Sequence, residues 1–148
     1  MSRESEVKAV LAADATLMAI LTGGVFASED VGVEGISRET TPGAFSSGYL
    51  KPCALVKQRV EMVTPDVEEF DSLYISTSQI VEIWLYEDRG YSSIDSAKSR
   101  ILTLLNGKIL TQSFEMKLAM IVHRQRDLGA LKGASLERMD WQIWAVIQ

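Results

Sequence analysis

The chain carries one cysteine and one histidine, the side chains best suited to nucleophilic or general-base chemistry near neutral pH. Cys53 follows Pro52 at the start of an alternating apolar segment, which is typical of a small buried residue. His123 lies beside Arg124 in another alternating segment, where a single histidine is more often solvated than catalytic. The spacing does not support a Cys53–His123 pair. We therefore expect no enzyme activity. The alternative is a small enzyme that uses Cys53 or His123.

Carboxylates cluster in the segment "TPDVEEFD", residues 64–71, which the sequence places at the tip of a hairpin. Paired catalytic acids need a cleft that separates their pKa values, whereas a turn is convex and solvated. The D-x-D-x-D-G spacing of a calcium loop is absent. The tip is thus a solvated turn, a contact for a basic partner, or a surface that repels DNA. Glu68, Glu69 and Phe70 are its candidate interface residues.

The stretch from Ile80 to Gly107 changes from strand-like alternation to helical periodicity near the turn "EDRG". Such a step could bind phosphate if glycines let backbone N–H groups approach the anion. The turn instead contains Glu87 and Asp88 with one glycine, so it would repel phosphate. The sequence therefore predicts no catalytic, cofactor or metal site.

Composition limits the class of protein further. The chain has 148 residues, 47% hydrophobic and 24% charged, which fits one globular domain over residues 1–148. No apolar run reaches the length of a membrane span, and the N-terminus lacks the apolar core of a signal peptide. A net charge of −5 argues against broad nucleic-acid binding.

The N-terminal segment and the middle of the chain show helical periodicity. Ser5 is predicted to cap a first helix from about Glu6, and Asp14 a second short helix that ends at Gly23-Gly24. A short strand over 25–27 follows. The best-marked helix begins after Ser92 or Ser93 and ends at Asn106-Gly107.

Four longer segments alternate as strands. The first starts after Pro52 and is predicted to place Ala54, Val56, Val60 and Met62 on one face. It forms a long hairpin with a strand that ends near Tyr86, and "EMKLAMIVHRQ" and "LERMDWQIWAVIQ" form the last two strands. The order predicts an α+β fold: an antiparallel β-sheet of about four main strands with helices packed on one face.

Two features indicate contact surfaces. The segment over about 28–50 is a long loop without hydrophobic period, and it is either a mobile surface loop or orders against a neighbouring subunit through Ile36, Phe45 and Tyr49. Trp84 and Trp144 lie opposite the main core alternation of their strands. Either these two tryptophans contact a partner, as aromatic residues often do at protein interfaces, or helices cover both faces of the sheet.

Several segments together resemble the tail terminator, or tail-completion, proteins of long-tailed bacteriophages and gene transfer agents. "VKAVLAADATLMAILTGGVFA" is similar to the family's opening helix and short strand, and "YLKPCALV" to the entry into its first long strand. "QIVEIWLYEDRGYSSIDSAKSRILTLLNG" resembles its strand–turn–helix unit, and "LERMDWQIWAVI" its closing strand. Cys53 stands where an aromatic residue is common in the family.

The resemblance implies a structural protein of the virion neck that is assembled in the host cytoplasm. It implies a ring of six subunits that caps the tail tube, ends tube polymerisation and offers the surface for head attachment. Its partners would be other copies of itself, the tail tube protein and a head-connector or head-closure protein. DNA would pass through the lumen without specific binding, and neither a membrane nor a cofactor would be involved. The alternatives are another neck adaptor, such as a head-closure protein or a tail-tube relative, and a host-encoded dimeric domain.

Overall fold

The computed structural model describes residues 2–63, 75–129 and 131–147. The helices are α1 (Arg3–Ala12), α2 (Ala15–Ile20), α3 (Ser28–Val31) and α4 (Ser92–Leu105). The strands are β1 (Gly24–Ala27), β2 (Phe45–Ser46), β3 (Tyr49–Leu50), β4 (Cys53–Val63), β5 (Ile75–Glu87), β6 (Lys117–Arg126) and β7 (Ser135–Ile147).

Five strands form the main sheet in the order β1-β4-β5-β7-β6, and β2 and β3 form a small separate hairpin. The four long strands pair antiparallel, whereas the short β1 pairs parallel with β4 at one edge. The predicted α+β class and its four main strands are thus confirmed, with β1 as a fifth strand of the same sheet.

The main core lies between one sheet face and the helices α1, α2 and α4. Alternate residues of β4, β5 and β7 point toward these helices, as the period of two requires. Trp141 is the largest fully buried side chain of this helix-face core. Its other large, fully buried members are Leu11, Leu17, Leu21, Ile83, Leu85, Ile94, Ile101, Leu105, Met116, Met139 and Ile143.

The first helix begins earlier than its sequence predicts. Ser2, rather than Ser5, is the N-cap of α1, and its hydroxyl accepts a hydrogen bond from the Ser5 N–H at 3.1 Å. The predicted cap of the second helix is confirmed, because the Asp14 carboxylate accepts the N–H of Leu17 at 2.8 Å. Asp14 also joins two helices. Both of its carboxylate oxygens accept from Arg100 of α4, Oδ2 from Nε at 2.8 Å and Oδ1 from Nη2 at 2.7 Å.

This bidentate contact predicts an acid-sensitive stability. The Arg100 guanidinium lowers the pKa of Asp14 from 3.8 to about 2. The contribution of the carboxylate to stability is therefore complete above the unfolded pKa near 3.8, and it is lost as the pH falls through 2. We expect Asp14→Asn to lower the urea midpoint at pH 7, and the difference from the wild type to shrink as the pH falls below 3.8 and to vanish only below pH 2. A midpoint difference that is independent of pH would contradict this assignment.

A β-bulge overturns one predicted strand face. The pairing of β4 with β5 shifts between Gln58 and Val60, so Arg59 is the extra residue. Val60 and Met62 therefore lie on the face opposite Ala54 and Val56, and their side chains are exposed. The prediction that all four share one face is wrong.

The segment over 28–50 folds back on the second face of the sheet. It contains α3, the 3-10 turns Gly32–Glu34 and Pro42–Ala44, and the β2–β3 hairpin. Its buried residues pack against Leu55, Tyr86 and Leu136 of the sheet. This second-face cluster has the buried members Val31, Ile36, Ala44, Leu50, Cys53, Leu55, Tyr86, Ala134 and Leu136. The segment thus covers one end of the second face within its own chain.

Candidate functional site

The two residues best suited to nucleophilic chemistry lie far apart. Cys53 is fully buried at the start of β4, and burial raises the pKa of its thiol to about 12. His123 lies on the edge strand β6, and its Nδ1 is 3.1 Å from the Glu137 carboxylate. Because β5 and β7 separate the two strands, about 14 Å of sheet lies between them at ~4.8 Å per strand. The fold therefore does not assemble a Cys53–His123 pair.

The turn before α4 is capped by a residue other than the predicted serines. The N-cap residue Tyr91 makes no side-chain cap bond, and the Glu87 carboxylate accepts the N–H groups of Ser93 and Ile94 at 3.2 and 3.3 Å. Glu87 thus occupies the helix N-terminus, where a phosphate would otherwise bind. The N–H groups at the start of α4 are therefore satisfied by Glu87 from the same strand–turn–helix unit, and the turn does not form an anion site.

This cap gives a prediction about stability. We expect Glu87→Ala to lower the free energy of unfolding by about 1 kcal/mol, because it leaves N-terminal N–H groups of α4 without an acceptor. Ser92→Ala is the matched control and should change it by less than about 0.5 kcal/mol. Urea denaturation of both variants measures the difference. A larger loss of stability for Ser92→Ala than for Glu87→Ala would mean that Ser92, rather than Glu87, caps α4.

Within 2–63, 75–129 and 131–147, no group of three or more His, Cys, Asp or Glu side chains is arranged to hold a metal ion. In the same described ranges, the helices are too short or too polar to cross a bilayer.

A buried ion cluster ties α4 to the edge strand. Glu137 of β7 is fully buried, and its carboxylate accepts from Lys98 Nζ at 2.5 Å and from Arg124 Nη1 at 2.8 Å. Arg124 also donates to Asp95 of α4, at 3.2 and 2.9 Å, and this contact lowers the pKa of Asp95. The cluster fixes α4 against β6 and β7.

The backbone at Arg124 is adapted to this contact. Arg124 has a φ of 47°, and the pairing of β6 with β7 is irregular between Val122 and Gln125. A non-glycine residue in the left-handed region costs free energy, so the cluster compensates for a strained bulge. The guanidinium also lies 4.4 Å from the centre of the Tyr91 ring. The bulge directs Arg124 toward the helix and interrupts an exposed sheet edge.

The middle of the second sheet face is polar and balanced in charge. Glu82 and Asp140 face each other across β5 and β7, and both are almost fully buried. Arg138 Nε donates to Asp140 at 2.8 Å, and Arg59 Nη1 lies 3.4 Å from the Glu82 carboxylate. Two acids and two arginines thus satisfy one another on this face.

The three tryptophans differ in environment. Trp141 belongs to the helix-face core. Trp84 is half-buried on the second face, where its Nε1 donates to Glu82 at 3.1 Å and Arg138 lies 5.4 Å from its ring centre. Trp144 is 39% exposed at the far end of the same face. The predicted placement of Trp84 and Trp144 opposite the main core is confirmed.

The three candidate contact residues of the 28–50 segment also differ in how far they are buried. Ile36 is buried in the second-face cluster of its own chain. Phe45 is partly buried and lies under the Arg38 guanidinium, 4.8 Å from the ring centre. Tyr49 is 60% exposed, so most of its side chain is accessible on the surface. Glu68, Glu69 and Phe70 lie outside the described residues.

An apolar groove lies beside Trp144, which we call the end groove. It has a volume of about 540 Å³, and its apolar walls include Trp144, Phe114 and Ile109. Phe114 and Ile109 are 61% and 62% exposed. The backbone N–H of Phe114 donates to the Trp144 carbonyl at 2.8 Å, which holds the 106–116 connection against β7. Sequence periodicity missed this site because Ile109 and Phe114 belong to neither a helix nor a strand.

The fold matches a solved structure although the sequence matches no described family. No protein-family model matches the chain, and no curated protein matches it. A chain in the structure described as the virion of native gene transfer agent (GTA) particle superposes with a TM-score of 0.59. The two chains share 18% sequence identity, and the match covers 98% of this chain and 93% of that chain. The fold is therefore shared over nearly the whole length of both proteins.

Proposed function

We propose that this chain is a structural protein of the neck of a phage-like virion. In this proposal six copies form a ring on the end of the tail tube. The ring stops tube polymerisation and provides the surface to which the head attaches. The observation that carries the proposal is the fold shared with a chain of a gene transfer agent virion over 98% of this chain.

The surface supports an assembly role. The end groove exposes Ile109 and the aromatic residues Phe114 and Trp144. Aromatic residues are enriched at the centres of protein interfaces. Cys53 is buried and distant from His123, which supports a protein without catalytic chemistry. The net charge of −5 suits a ring through which DNA passes without adhering to the wall.

Sedimentation over a wide concentration range tests the ring. We expect a discrete species near 98 kDa, six copies of the 16.4 kDa chain, with closed rings in negative-stain images. Growth into long cylinders would instead identify a tail-tube relative. A stable dimer that does not bind tail tubes would contradict a role in the neck.

Assembly on the tube gives the second arm of the test. The purified chain is added to the tail tube protein of the same particle while tubes polymerise, and the tube lengths are measured. We expect rings at tube ends and no further elongation. A chain that attaches to heads but not to tubes would identify a head-closure adaptor.

A further inference from the structure

The edge strand β6 differs from the other three long strands in how little of it is buried. None of its residues from Lys117 to Arg126 is buried, whereas β4, β5 and β7 each contribute fully buried residues to the helix-face core. Its apolar side chains are only partly covered at best, and Met120 is 45% exposed. A segment with few buried apolar contacts commonly opens before the rest of the protein unfolds.

The pairing of β6 with β7 is also irregular. The register shifts once between Leu118 and Met120 and again between Val122 and Gln125. In the second bulge Arg124 has a φ of 47°, and this left-handed conformation costs free energy in a residue other than glycine. By contrast, β7 pairs with β5 along the whole length of both strands without a register shift. Of the two pairings that β7 makes, the one with β6 is therefore the weaker.

Polar contacts hold the middle of β6 in place. Arg124 Nη1 donates to the buried Glu137 carboxylate at 2.8 Å, and Arg124 Nη2 donates to Asp95 of α4 at 2.9 Å. The Tyr91 hydroxyl donates to the Gln125 carbonyl at 2.7 Å. We call the two contacts of Arg124, to Glu137 and to Asp95, the clamp.

The chain is anchored on both sides of β6. Met116, directly before the strand, is fully buried, and its N–H donates to the Lys108 carbonyl at 2.8 Å. After the strand, the Asp127 N–H donates to the Ala134 carbonyl at 2.9 Å. The strand is thus held at two fixed ends and by the clamp between them.

We propose that β6 opens from β7 as one unit while β1, β4, β5 and β7 stay paired, and that the clamp holds it closed. Opening removes Arg124 from Glu137 and lets its left-handed backbone relax. Lys98 of α4 remains bonded to Glu137, so the buried carboxylate keeps a charged partner in the open form. The opening is a property of the single chain and is independent of the proposed ring.

The opening changes which strand forms the edge of the sheet. In the closed form the edge is β6, whose bulges hinder pairing with a strand of another chain. In the open form the backbone N–H and C=O groups of β7 between Ser135 and Gln142 are uncovered, and this strand is free of bulges against β5. A regular edge of this kind accepts an added strand. Closed β6 therefore keeps a strand-accepting edge away from other chains.

Hydrogen exchange of the dilute full chain in increasing urea, followed by mass spectrometry of peptides from each strand, tests the opening. Local opening exposes little surface, so its exchange depends weakly on urea, whereas exchange through global unfolding rises steeply. We expect the protection of β6 amides to be at least about tenfold lower than that of β5 amides, with a weak dependence on urea. Equal protection and equal urea dependence in the two strands would overturn the proposal.

Two variants remove the clamp. Arg124→Gln deletes both of its contacts, and we expect β6 to exchange at least about tenfold faster, since hydrogen bonds between charged groups contribute on that order. Asp95→Asn weakens one contact and should have a smaller effect in the same direction. Asp30→Asn is the matched control, because it weakens the Lys8 ion pair at a distant site and should leave β6 unchanged. Unchanged exchange of β6 in Arg124→Gln would overturn the role of the clamp.

A core variant distinguishes separate opening of β6 from unfolding of the whole domain. Ile83 of β5 is fully buried in the helix-face core, which stays packed when β6 opens. We expect Ile83→Val to speed the exchange of β5 amides several-fold and to leave β6 exchange unchanged. If Ile83→Val speeds both strands by the same factor, β6 opens only together with the core and the proposal is wrong.

Discussion

Replacing Glu137 by alanine is expected to lower the free energy of unfolding by about 3 kcal/mol, because it breaks a buried ion cluster from one side. The variant leaves the Lys98 ammonium, whose side chain is only 12% exposed, without its main acceptor. It also removes the acceptor that offsets the left-handed conformation of Arg124. Urea denaturation at pH 7 measures the loss.

A double variant shows whether the unpaired charge causes this loss. Glu137→Leu combined with Lys98→Met replaces the pair by apolar side chains of similar size, and we expect it to recover more than half of the lost stability. Arg124 keeps its two bonds to Asp95 in that variant. If the double variant is less stable than Glu137→Ala, the pair contributes through its attraction rather than through the cost of an orphaned charge.

Hydrophobic period was sufficient to predict the central elements. In α4 the residues Ile94, Ala97, Ile101 and Leu105 recur at helical spacing, and all four are fully buried. In β7 the alternation of Met139, Trp141 and Ile143 places all three in the helix-face core. These positions follow from sequence because burial of one face is the dominant local requirement of a helix or a strand.

The same reasoning failed where polar residues that are far apart in the sequence contact one another. Arg59 is the extra residue of the β4 bulge, and its guanidinium reaches Glu82 and Asp140 on other strands. That bulge moves Val60 and Met62 to the second face, which no period of two can anticipate. Glu137 likewise lies on the apolar side of β7, and only its partners on α4 and β6 make that position tolerable.

The candidate surfaces were harder to predict than the fold. The 28–50 segment has no period because short turns, rather than long elements, carry its buried residues Val31, Ile36 and Ala44. Among the described residues, its docking on the second face covers one end of that face and leaves Trp144 at the other end exposed. Trp144 and the end groove occupy that end, whereas Trp84 packs beside the docked segment.

This division of the second face predicts different effects for two tryptophan variants. Trp144→Ala should change the free energy of unfolding by less than about 1 kcal/mol, because the Trp144 ring is substantially exposed and its removal leaves no internal cavity. It should weaken assembly at least about tenfold, since an interfacial tryptophan commonly contributes more than 1.4 kcal/mol to binding.

Trp84→Ala is the matched comparison and should show the reverse pattern. It removes the hydrogen bond to Glu82, the contact with Arg138 and part of the second-face cluster, so we expect a loss of about 2–3 kcal/mol in unfolding free energy. Once folded, it should still assemble, because its ring packs against the 28–50 segment of its own chain. Urea denaturation and sedimentation of both variants separate the two effects. If Trp84→Ala abolishes assembly without loss of stability, the contact between copies lies on the middle of the second face instead of at the end groove.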